Sequence, residues 1–515
     1  MNADGARTGG SAARRWPARE TALIAVACLL LAFAFLGTRG IWDPDEGRYT
    51  NVALNMLDSG DWINPMRNED TGHWTKPPVT YWLVAGSVAA FGHSPWGARL
   101  PIAFSYLACM LFAALCARRL VPGGARLAAI VYATMLMPFV AGQLVTTDFP
   151  LAAFQALAMY AFVEGRFGPA RRQVPWLLLM WAALAAGFMT KGPPALVPLL
   201  VVVAMNLLAP GTRVRWPWHL LGVALFAGLA LPWYLIVVQR HPGLLQYFLG
   251  AELVDRVASD RFGRNGEWYG WIKVYVPALL LGTLPWSADL WRWTRRLPAR
   301  IGRWRDQAVR HGQAPALLIA LWIVLPILVF CLARSRLPLY LLPTFVPLAV
   351  AVAAQRLAGG KGIPRWRWLA LWVLVLLGLR VAASHMPSHK DASGWAEAIG
   401  ARAQGPVREV VFVEDMARYG LHLHLDAEIE KLSLLPDPGQ SRFNPDFDEP
   451  LMQELAEVER EPGIVFVTKS AQWPEVAGAI GAHGYATKVL GTPYYDRIIF
   501  EVVPQRRSGT SPARE

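Results

Sequence analysis

One short run of this chain concentrates residues that can do acid–base chemistry: Trp42-Asp43-Pro44-Asp45-Glu46-Gly47-Arg48-Tyr49. A local role is available, because proline suits a helix start and acidic groups in a first turn interact favourably with the helix dipole. Capping does not require three carboxylates and an arginine beside an apolar segment, where unpaired charge is costly. We therefore predict that Asp45 and Glu46 take part in catalysis, with Asp45 as the general base.

Four other motifs each place a charged or phenolic side chain at the edge of an apolar segment. Taken singly they fit ordinary roles, since Asp caps helices and Lys extends its ammonium group out of a membrane. Together they offer cations that can hold a phosphate through charge-assisted hydrogen bonds. The motifs are His73–Pro78 with Lys76, Thr146–Pro150 with Asp148, Thr190–Pro194 with Lys191, and Ser335–Tyr340 with Arg336 and Tyr340.

Such a set of carboxylates and cations is suited to a phosphate-bearing amphiphile. Lysine and arginine would stabilise the phosphate as a leaving group, while an aspartate activates the attacking group. This chemistry requires that the motifs face one side of a membrane, so the elements that carry them decide the interpretation.

The composition indicates a polytopic membrane protein, with 54% apolar and 17% charged residues over 515 positions and a mean hydropathy of +0.30. The net charge of +13 lies mostly in short loops between apolar runs, which favours the positive-inside pattern over a nucleic-acid partner. We predict about eleven spanning helices. They are 21–39, 98–117, 124–145, 149–165, 174–189, 193–209, 217–238, 270–290, 314–333, 339–355 and 366–384.

An inside N-terminus and an odd number of spans place the C-terminal tail outside. The outward loops are then 40–97, 146–148, 190–192, 239–269 and 334–338, and every motif above lies in one of them or at its edge. Within the first loop, the apolar spacing after Asp45 predicts an amphipathic helix on the membrane surface. Pro78–Phe91 predicts either a second interfacial helix or a short span.

The two ends of the chain differ from the apolar middle. Residues 1–20 are polar and predict a disordered cytoplasmic tail. Residues 386–515 regain charge and alternate short β-like runs with helical patterns, which predicts a soluble periplasmic α/β domain. The predicted catalytic domain is therefore the membrane part, residues 21–385.

These motifs resemble those of the GT-C membrane glycosyltransferases, within them the protein O-mannosyltransferase superfamily, and nearest the lipid A aminoarabinose transferase-like proteins. The resemblance covers about residues 20–385. It rests on Asp43–Tyr49, Gly60-Asp61-Trp62 with Pro65, Trp74–Pro78, Thr146–Pro150, Thr190–Pro193 and Arg336–Pro343.

The resemblance implies inverting transfer of a sugar from a polyprenyl phosphate, undecaprenyl phosphate in bacteria, at the periplasmic face of the inner membrane. The implied acceptor is lipid A, lipopolysaccharide or another envelope glycan or lipid. The predicted catalytic residues are Asp45, Glu46 and Asp148, and the predicted donor phosphate-binding residues are Arg48, Lys76, Lys191, Arg336 and Tyr340.

The chain departs from the aminoarabinose transferases at two places. Thr75 stands where those enzymes usually carry an acidic residue, and the loop 239–269 contains acidic residues but no histidine after His241. A divalent metal ion and the identity of the sugar therefore stay open. The acidic residues of that loop are Glu252, Asp255, Asp260 and Glu267.

Other functions remain to be compared with this one. A protein O-glycosyltransferase would share the superfamily and the donor. A lipid flippase or transporter would place ionisable groups near the bilayer midplane in repeated halves, whereas here they cluster at segment edges and no internal repeat is visible. A non-catalytic scaffold would not need the combination of Asp45, Lys76 and Lys191.

Overall fold

The computed structural model describes residues 18–211, 214–255, 263–435 and 441–505. Most of the predicted disordered tail 1–20 lies outside these ranges, as does the acidic residue Asp260, whereas residues 18–20 begin the first helix. The predicted combination of a helical membrane part with a small C-terminal α/β domain is confirmed.

The membrane part is built from α-helices joined by short turns. Three 3₁₀ segments, Ala170–Arg172, Pro193–Leu196 and Pro338–Thr344, and one π-helical segment, Phe248–Asp255, lie among them. The α-helices are Ala18–Phe33, Asp45–Ser59, Val79–Phe91, Pro95–Leu120, Ala125–Thr134, Leu136–Ala141, Asp148–Phe167, Gln173–Lys191, Val197–Leu208, Trp216–Arg240, Leu244–Tyr247, Gly270–Gly282, Ser287–Arg295, Leu297–Arg303, Gln307–Gly312, Ala314–Leu332, Phe345–Ala358 and Trp366–His385.

Two predicted helices are divided in the structure, and proline accounts for the first division. The predicted span 124–145 stops at Thr134 and resumes at Leu136. Pro138 has no N–H, and its ring would collide with the carbonyl of Thr134 if the helix continued unbroken. The predicted span 270–290 likewise ends at Gly282, shortly before Pro285, and a separate helix follows.

Within the described residues, six helical segments are long and apolar enough to cross a membrane. They are Pro95–Leu120, Ala170–Lys191, Trp216–Arg240, Ala314–Leu332, Pro338–Ala358 and Trp366–His385. Shorter apolar helices include Val79–Phe91 and Ala125–Thr134. The number of eleven spans stays a prediction.

Ion pairs join residues of the cationic loops to other segments of the helical part. Arg126 pairs with Glu20 at 3.3 Å, Arg119 pairs with Glu164 at 2.7 Å, and Arg356 pairs with Asp289 at 2.7 Å. Each pair joins segments that are far apart in sequence. The cations of the loops predicted to lie inside are therefore engaged in contacts between segments.

The C-terminal domain contains a sheet whose six strands are β1 (Glu409–Val413), β2 (Glu428–Ser433), β3 (Glu449–Pro450), β4 (Ile464–Lys469), β5 (Tyr485–Val489) and β6 (Arg497–Pro504). Their order in the sheet is β3-β2-β1-β4-β6-β5. β1 pairs in parallel with β2 and β4, and β6 runs antiparallel to β4 and β5. The α-helices are Ala392–Gly400, Leu421–Leu425, Leu451–Val458 and Trp473–Ala482.

This domain packs on the loop 40–97 of the membrane part, which is predicted to face outward. The Asp43 N–H donates to the Lys390 carbonyl at 2.9 Å. Farther along the loop, the Arg67 guanidinium forms an ion pair with Asp448 and donates to the Pro445 carbonyl. The domain and the loop therefore lie on the same side of the molecule.

Candidate functional site

The helix Asp45–Ser59, here called the surface helix, begins within the acidic run. Asp45 occupies the first position of this helix, where the backbone N–H has no intrahelical hydrogen-bond partner. The side chain of Asp45 is 62% exposed. Arg48 follows one turn later and pairs with Asp45 at 3.2 Å. A carboxylate held by one exposed guanidinium stays accessible to an incoming group.

Glu46 points the other way, into a buried ion cluster. Its two oxygens accept from the Arg99 Nε at 2.7 Å and from the Arg39 guanidinium at 3.0 Å. The backbone N–H groups of Trp42 and Val145 donate to the same carboxylate at 2.8 and 3.2 Å. Burial opposes ionisation, yet the two guanidinium groups lower the pKa of Glu46 to about 2. Glu46, a predicted catalytic residue, therefore joins the segments that carry Arg39, Arg99 and Val145.

Asp43 is buried against the C-terminal domain. Its carboxylate oxygens accept from the Gly420 N–H at 3.2 and 3.3 Å. Burial raises the pKa of Asp43 to about 8, although that hydrogen bond and the charge of Arg418 act in the opposite direction. The first carboxylate of the acidic run therefore joins two domains.

Two predicted motifs meet through an ion pair. Asp148 begins one helix and Lys191 ends the next, and their Oδ1 and Nζ atoms lie 2.5 Å apart. The Lys191 ammonium also lies 4.7 Å from the ring centroid of Tyr340, whose hydroxyl accepts from Arg264 at 3.2 Å. Three separate sequence motifs thus form one polar group in which Asp148 and Lys191 are each about one tenth exposed.

Lys76 lies in a second polar group. Its ammonium donates to the Thr75 carbonyl at 2.5 Å and pairs with Glu252 at 3.4 Å. The Tyr247 hydroxyl donates to the other oxygen of Glu252 at 3.2 Å. Pro77 and Pro78 follow the lysine and have no N–H, so the chain enters the next helix without a backbone donor at these positions.

A cluster of aromatic rings connects the Lys76 group to the surface helix. The rings of Tyr49, His73 and Tyr81 lie 6.0–6.5 Å apart. The Tyr81 hydroxyl is buried without a hydrogen-bond partner and interacts electrostatically with both Arg48 and Glu252. Arg48 and Glu252, the partner of Lys76, are therefore both close enough to act on the Tyr81 hydroxyl.

Arg336 is bound to backbone rather than presented to a ligand. Its guanidinium donates to the carbonyls of Asn265 and Glu267, each at 2.7 Å, and to the Cys331 carbonyl at 3.1 Å. The side chain is 4% exposed. These contacts hold the loop that leads into the helix starting at Gly270.

Sequence reasoning missed several residues of these groups. Arg39 and Arg99 were not noticed, because each lies within or beside an apolar segment. Glu252 was noticed only as an acidic residue of its loop, and Tyr247 and Arg264 were not noticed. A charge on an otherwise apolar helix, as Arg99 is on Pro95–Leu120, was the one available indication.

Comparison with known proteins gives these groups a context. Residues 75–236 match the family model described as dolichyl-phosphate-mannose-protein mannosyltransferase. The structure superposes on ArnT from Cupriavidus metallidurans bound to undecaprenyl phosphate with a TM-score of 0.72, at 21% identity over 94% of this chain and 98% of that chain. The chain has the GT-C fold.

Curated relatives support the same resemblance in sequence. The undecaprenyl phosphate-alpha-4-amino-4-deoxy-L-arabinose arabinosyl transferase 2 of Sodalis glossinidius is 34% identical over 66% of this chain and 60% of its own length. The protein of the same name from Pseudomonas fluorescens is 32% identical over 64% of this chain and 56% of its own. The alignments thus span about three fifths of these relatives. The resemblance to the protein O-mannosyltransferase superfamily and its aminoarabinose transferases is confirmed.

Proposed function

We propose that this chain is an inverting glycosyltransferase that moves a sugar from a polyprenyl phosphate, undecaprenyl phosphate in bacteria, to an acceptor at the periplasmic face of the inner membrane. The observation that carries the proposal is the meeting of Asp148, Lys191 and Tyr340 from three distant motifs. Buried cations beside carboxylates are suited to a phosphate that gains charge as it leaves. The names of the curated relatives and the GT-C fold support this assignment.

In this mechanism Asp45 acts on the acceptor. An acceptor hydroxyl attacks the anomeric carbon from the face opposite the phosphate, the carbon–oxygen bond to the phosphate breaks, and the phosphate leaves with the bonding electrons. Asp45 takes the hydroxyl proton. Its exposure and its single ion pair with Arg48 suit a base that must receive a substrate group.

The donor phosphate is assigned to cations already paired with carboxylates. Lys76 and Lys191 each lie beside a carboxylate in the protein alone, and an arriving phosphate would share or replace those contacts. Arg48 is a third phosphate contact in this proposal, and Tyr340 orients Lys191. Asp148 holds Lys191 in place and is retained as a candidate catalytic residue.

Two residues receive positioning roles in place of those predicted from the sequence. Glu46 uses both carboxylate oxygens to hold arginines and backbone N–H groups. Arg336 uses its guanidinium to hold the loop 265–267. Both would act on catalysis through the segments that they fix.

The proposed acceptor is lipid A or another envelope glycan or lipid, and protein is the alternative within the superfamily. The relatives are named for 4-amino-4-deoxy-arabinose as the donor sugar. Thr75 stands where the aminoarabinose transferases usually carry an acidic residue. Donor sugars other than 4-amino-4-deoxy-arabinose should therefore be tested as well.

The deciding experiment compares Asp45→Asn with wild type in sugar transfer. Purified protein is given undecaprenyl phosphate-linked sugars and lipid A, and transferred mass is measured together with donor binding. Asn caps a helix about as well as Asp, so a capping role predicts near-normal turnover. Loss of a general base predicts turnover at least ~100-fold lower with donor binding retained.

Asp426→Asn is the matched control, because Asp426 is an exposed carboxylate outside the polar groups described above. It should leave turnover within about twofold of wild type. Near-wild-type turnover in Asp45→Asn would remove Asp45 from the mechanism. Lipid scrambling in vesicles without any sugar transfer would instead support the flippase.

A further inference from the structure

Two glutamates of the C-terminal domain occupy strand positions that face a hydrophobic core. Alternate residues of a strand share one face, so Glu409 lies on the side of β1 that carries buried Val411. The register pairs Val411 with Glu430 on β2, and the next inward residue of β2, Leu432, is fully buried. Both glutamates therefore stand where the alternation calls for apolar side chains.

A third glutamate lies on the helix that covers this face. Leu451 and Leu455 form the buried stripe of the helix Leu451–Val458, and Glu454 lies between them on the same stripe. The side chain of Glu454 is 0% exposed, and that of Glu409 is 9% exposed. An amphipathic helix normally places apolar residues at such positions.

The three carboxylates converge without a positive partner. One oxygen from each of Glu409, Glu430 and Glu454 lies within 4.8 Å of the other two. Both oxygens of Glu454 and one of Glu409 meet no hydrogen-bond donor. Among the described residues, no ion pair involves any of the three, and Glu430 accepts only one bond, from Asn68 at 3.0 Å.

Such an arrangement needs positive charge from solvent, either as bound protons or as a bound cation. Glu449, at the start of β3, lies within hydrogen-bonding reach of Glu454 and adds a fourth carboxylate. Buried charges persist in proteins when they are paired or coordinate metals.

A surface cleft reaches one of the three glutamates, Glu430. A cleft of about 220 Å³ is lined by Glu430, Glu449 and Asp448 of the domain and by Asn68 and Asp70 of the first outward loop. Its lining is acidic and contains no lysine or arginine. A small cation can enter there and would be attracted along the way.

We propose that Glu409, Glu430 and Glu454 form a binding site for a hard divalent cation, with Ca²⁺ as the best match. Carboxylate oxygens are the ligands of hard cations, and Ca²⁺ binds them at ~2.3–2.6 Å with flexible geometry. Two oxygens on opposite sides of such an ion are up to about 5 Å apart, which accommodates the observed spacing of 4.8 Å or less. Glu449 is the further ligand within reach.

The position of the site gives the cation a structural consequence. Asn68 bonds Glu430, and the Glu69 N–H donates to Glu428 at 2.8 Å, so the site borders the hairpin formed by residues 66–72. That hairpin leads directly into the Lys76 motif. A bound cation would therefore attach the domain more firmly to the segment that carries Lys76.

Calcium binding by the full chain tests the proposal. Wild-type protein in detergent, stripped with a chelator, is titrated with CaCl₂ and separately with MgCl₂ in a calorimeter. We expect one Ca²⁺ per chain and a rise in the thermal midpoint with Ca²⁺, because a ligand stabilises the folded state that binds it. Glu454→Gln should lower the Ca²⁺ affinity at least tenfold and abolish that rise.

Controls separate ligand loss from misfolding. Glu430→Gln removes a ligand from a different element and should weaken Ca²⁺ binding in the same way, while exposed Glu475→Gln should bind like wild type. Circular dichroism without Ca²⁺ checks that each variant is folded. Binding is measured without donor or acceptor, so the result is independent of sugar transfer.

Two outcomes would overturn the site. One is the absence of saturable Ca²⁺ or Mg²⁺ binding by folded wild type, which would mean that the carboxylates hold protons instead. The other is an unchanged Ca²⁺ affinity in folded Glu454→Gln.

Discussion

The ammonium nitrogen of Lys191 lies 2.5 Å from a carboxylate oxygen of Asp148, although the residues are 43 positions apart. The pair joins the C-terminal end of one helix to the N-terminal end of its predecessor. Each partner is about one tenth exposed, so the contact is shielded from water while still reachable. A phosphate at this place would meet a cation whose orientation is already fixed.

Substitutions of Lys191 and of Asp148 should have different effects on donor binding. Lys191→Met removes a charge-assisted contact to the donor, which costs ~1.5–3 kcal/mol, so kcat/KM should fall about 10- to 100-fold through weaker donor use. Asp148→Asn keeps Lys191 charged and should retain donor binding. Donor binding and turnover are measured for both variants. The matched control is Lys361→Met, because Lys361 is exposed in one of the cationic loops. Unchanged kinetics in Lys191→Met would contradict the assignment.

Substitutions of Lys76 and of Glu252 should differ in their effect on donor binding. Lys76→Ala should weaken donor binding by a similar factor, because a charge-assisted contact is lost. Glu252→Gln should leave donor binding unchanged or tighter, because the phosphate then has less competition for Lys76. Equilibrium binding of labelled undecaprenyl phosphate measures both effects. Equal weakening in the two variants would indicate that the pair only supports the fold.

Glu46 should contribute more to stability than to chemistry. Removing one partner from a buried ion pair costs ~3–5 kcal/mol, because the other charge stays buried and uncompensated. Glu46→Gln should therefore lower the thermal midpoint markedly, and the double variant Glu46→Gln/Arg99→Met should lose less than the sum of the two single changes. A stable, inactive Glu46→Gln would restore the catalytic assignment.

Asp43 predicts a pH dependence at the junction between the domains. Its folded pKa of about 8 lies above the ordinary aspartate value of 3.8, so between these pH values the folded protein holds a proton that the unfolded chain releases. Its stabilising contribution is thus full below pH 3.8 and is lost as the pH rises towards about 8. Asp43→Asn should flatten this part of the pH profile of the thermal midpoint. Exposed Asp426→Asn is the control, and an unchanged profile in Asp43→Asn would refute the prediction.

The sequence predicted which segment ends meet but not which side chains pair there. Loop charge and helix spacing placed Asp148, Lys191 and Tyr340 on one side, and the structure brings them into contact. Glu46 was predicted to take part in catalysis beside Asp45, because helix spacing does not reveal a partner 53 positions away, which is the separation between Glu46 and Arg99. Pairing across helices depends on rotation about each axis, and a single sequence does not contain that information.

The C-terminal domain shows the same limit in its sheet. The predicted β-like runs Glu409–Val413, Gly463–Thr468 and Arg497–Val503 correspond to β1, β4 and β6, whereas β2, β3 and β5 were missed. β2 is Glu428–Ser433, in which Glu428, Glu430 and Lys431 are charged. Such a strand resembles a surface loop until its pairing with the buried strand β1 is known.

The ion pair between Arg67 and Asp448 constrains the order in which the protein can be completed. The two residues are 381 positions apart, and at ~5–20 residues per second a ribosome needs about 20 to 75 s to travel between them. During that time the hairpin ahead of Lys76 has entered the membrane environment without the domain that holds it. The proposed active site is therefore finished only after nearly the whole chain has been made, and a nonsense codon before Asp448 should yield an inserted protein without transfer activity.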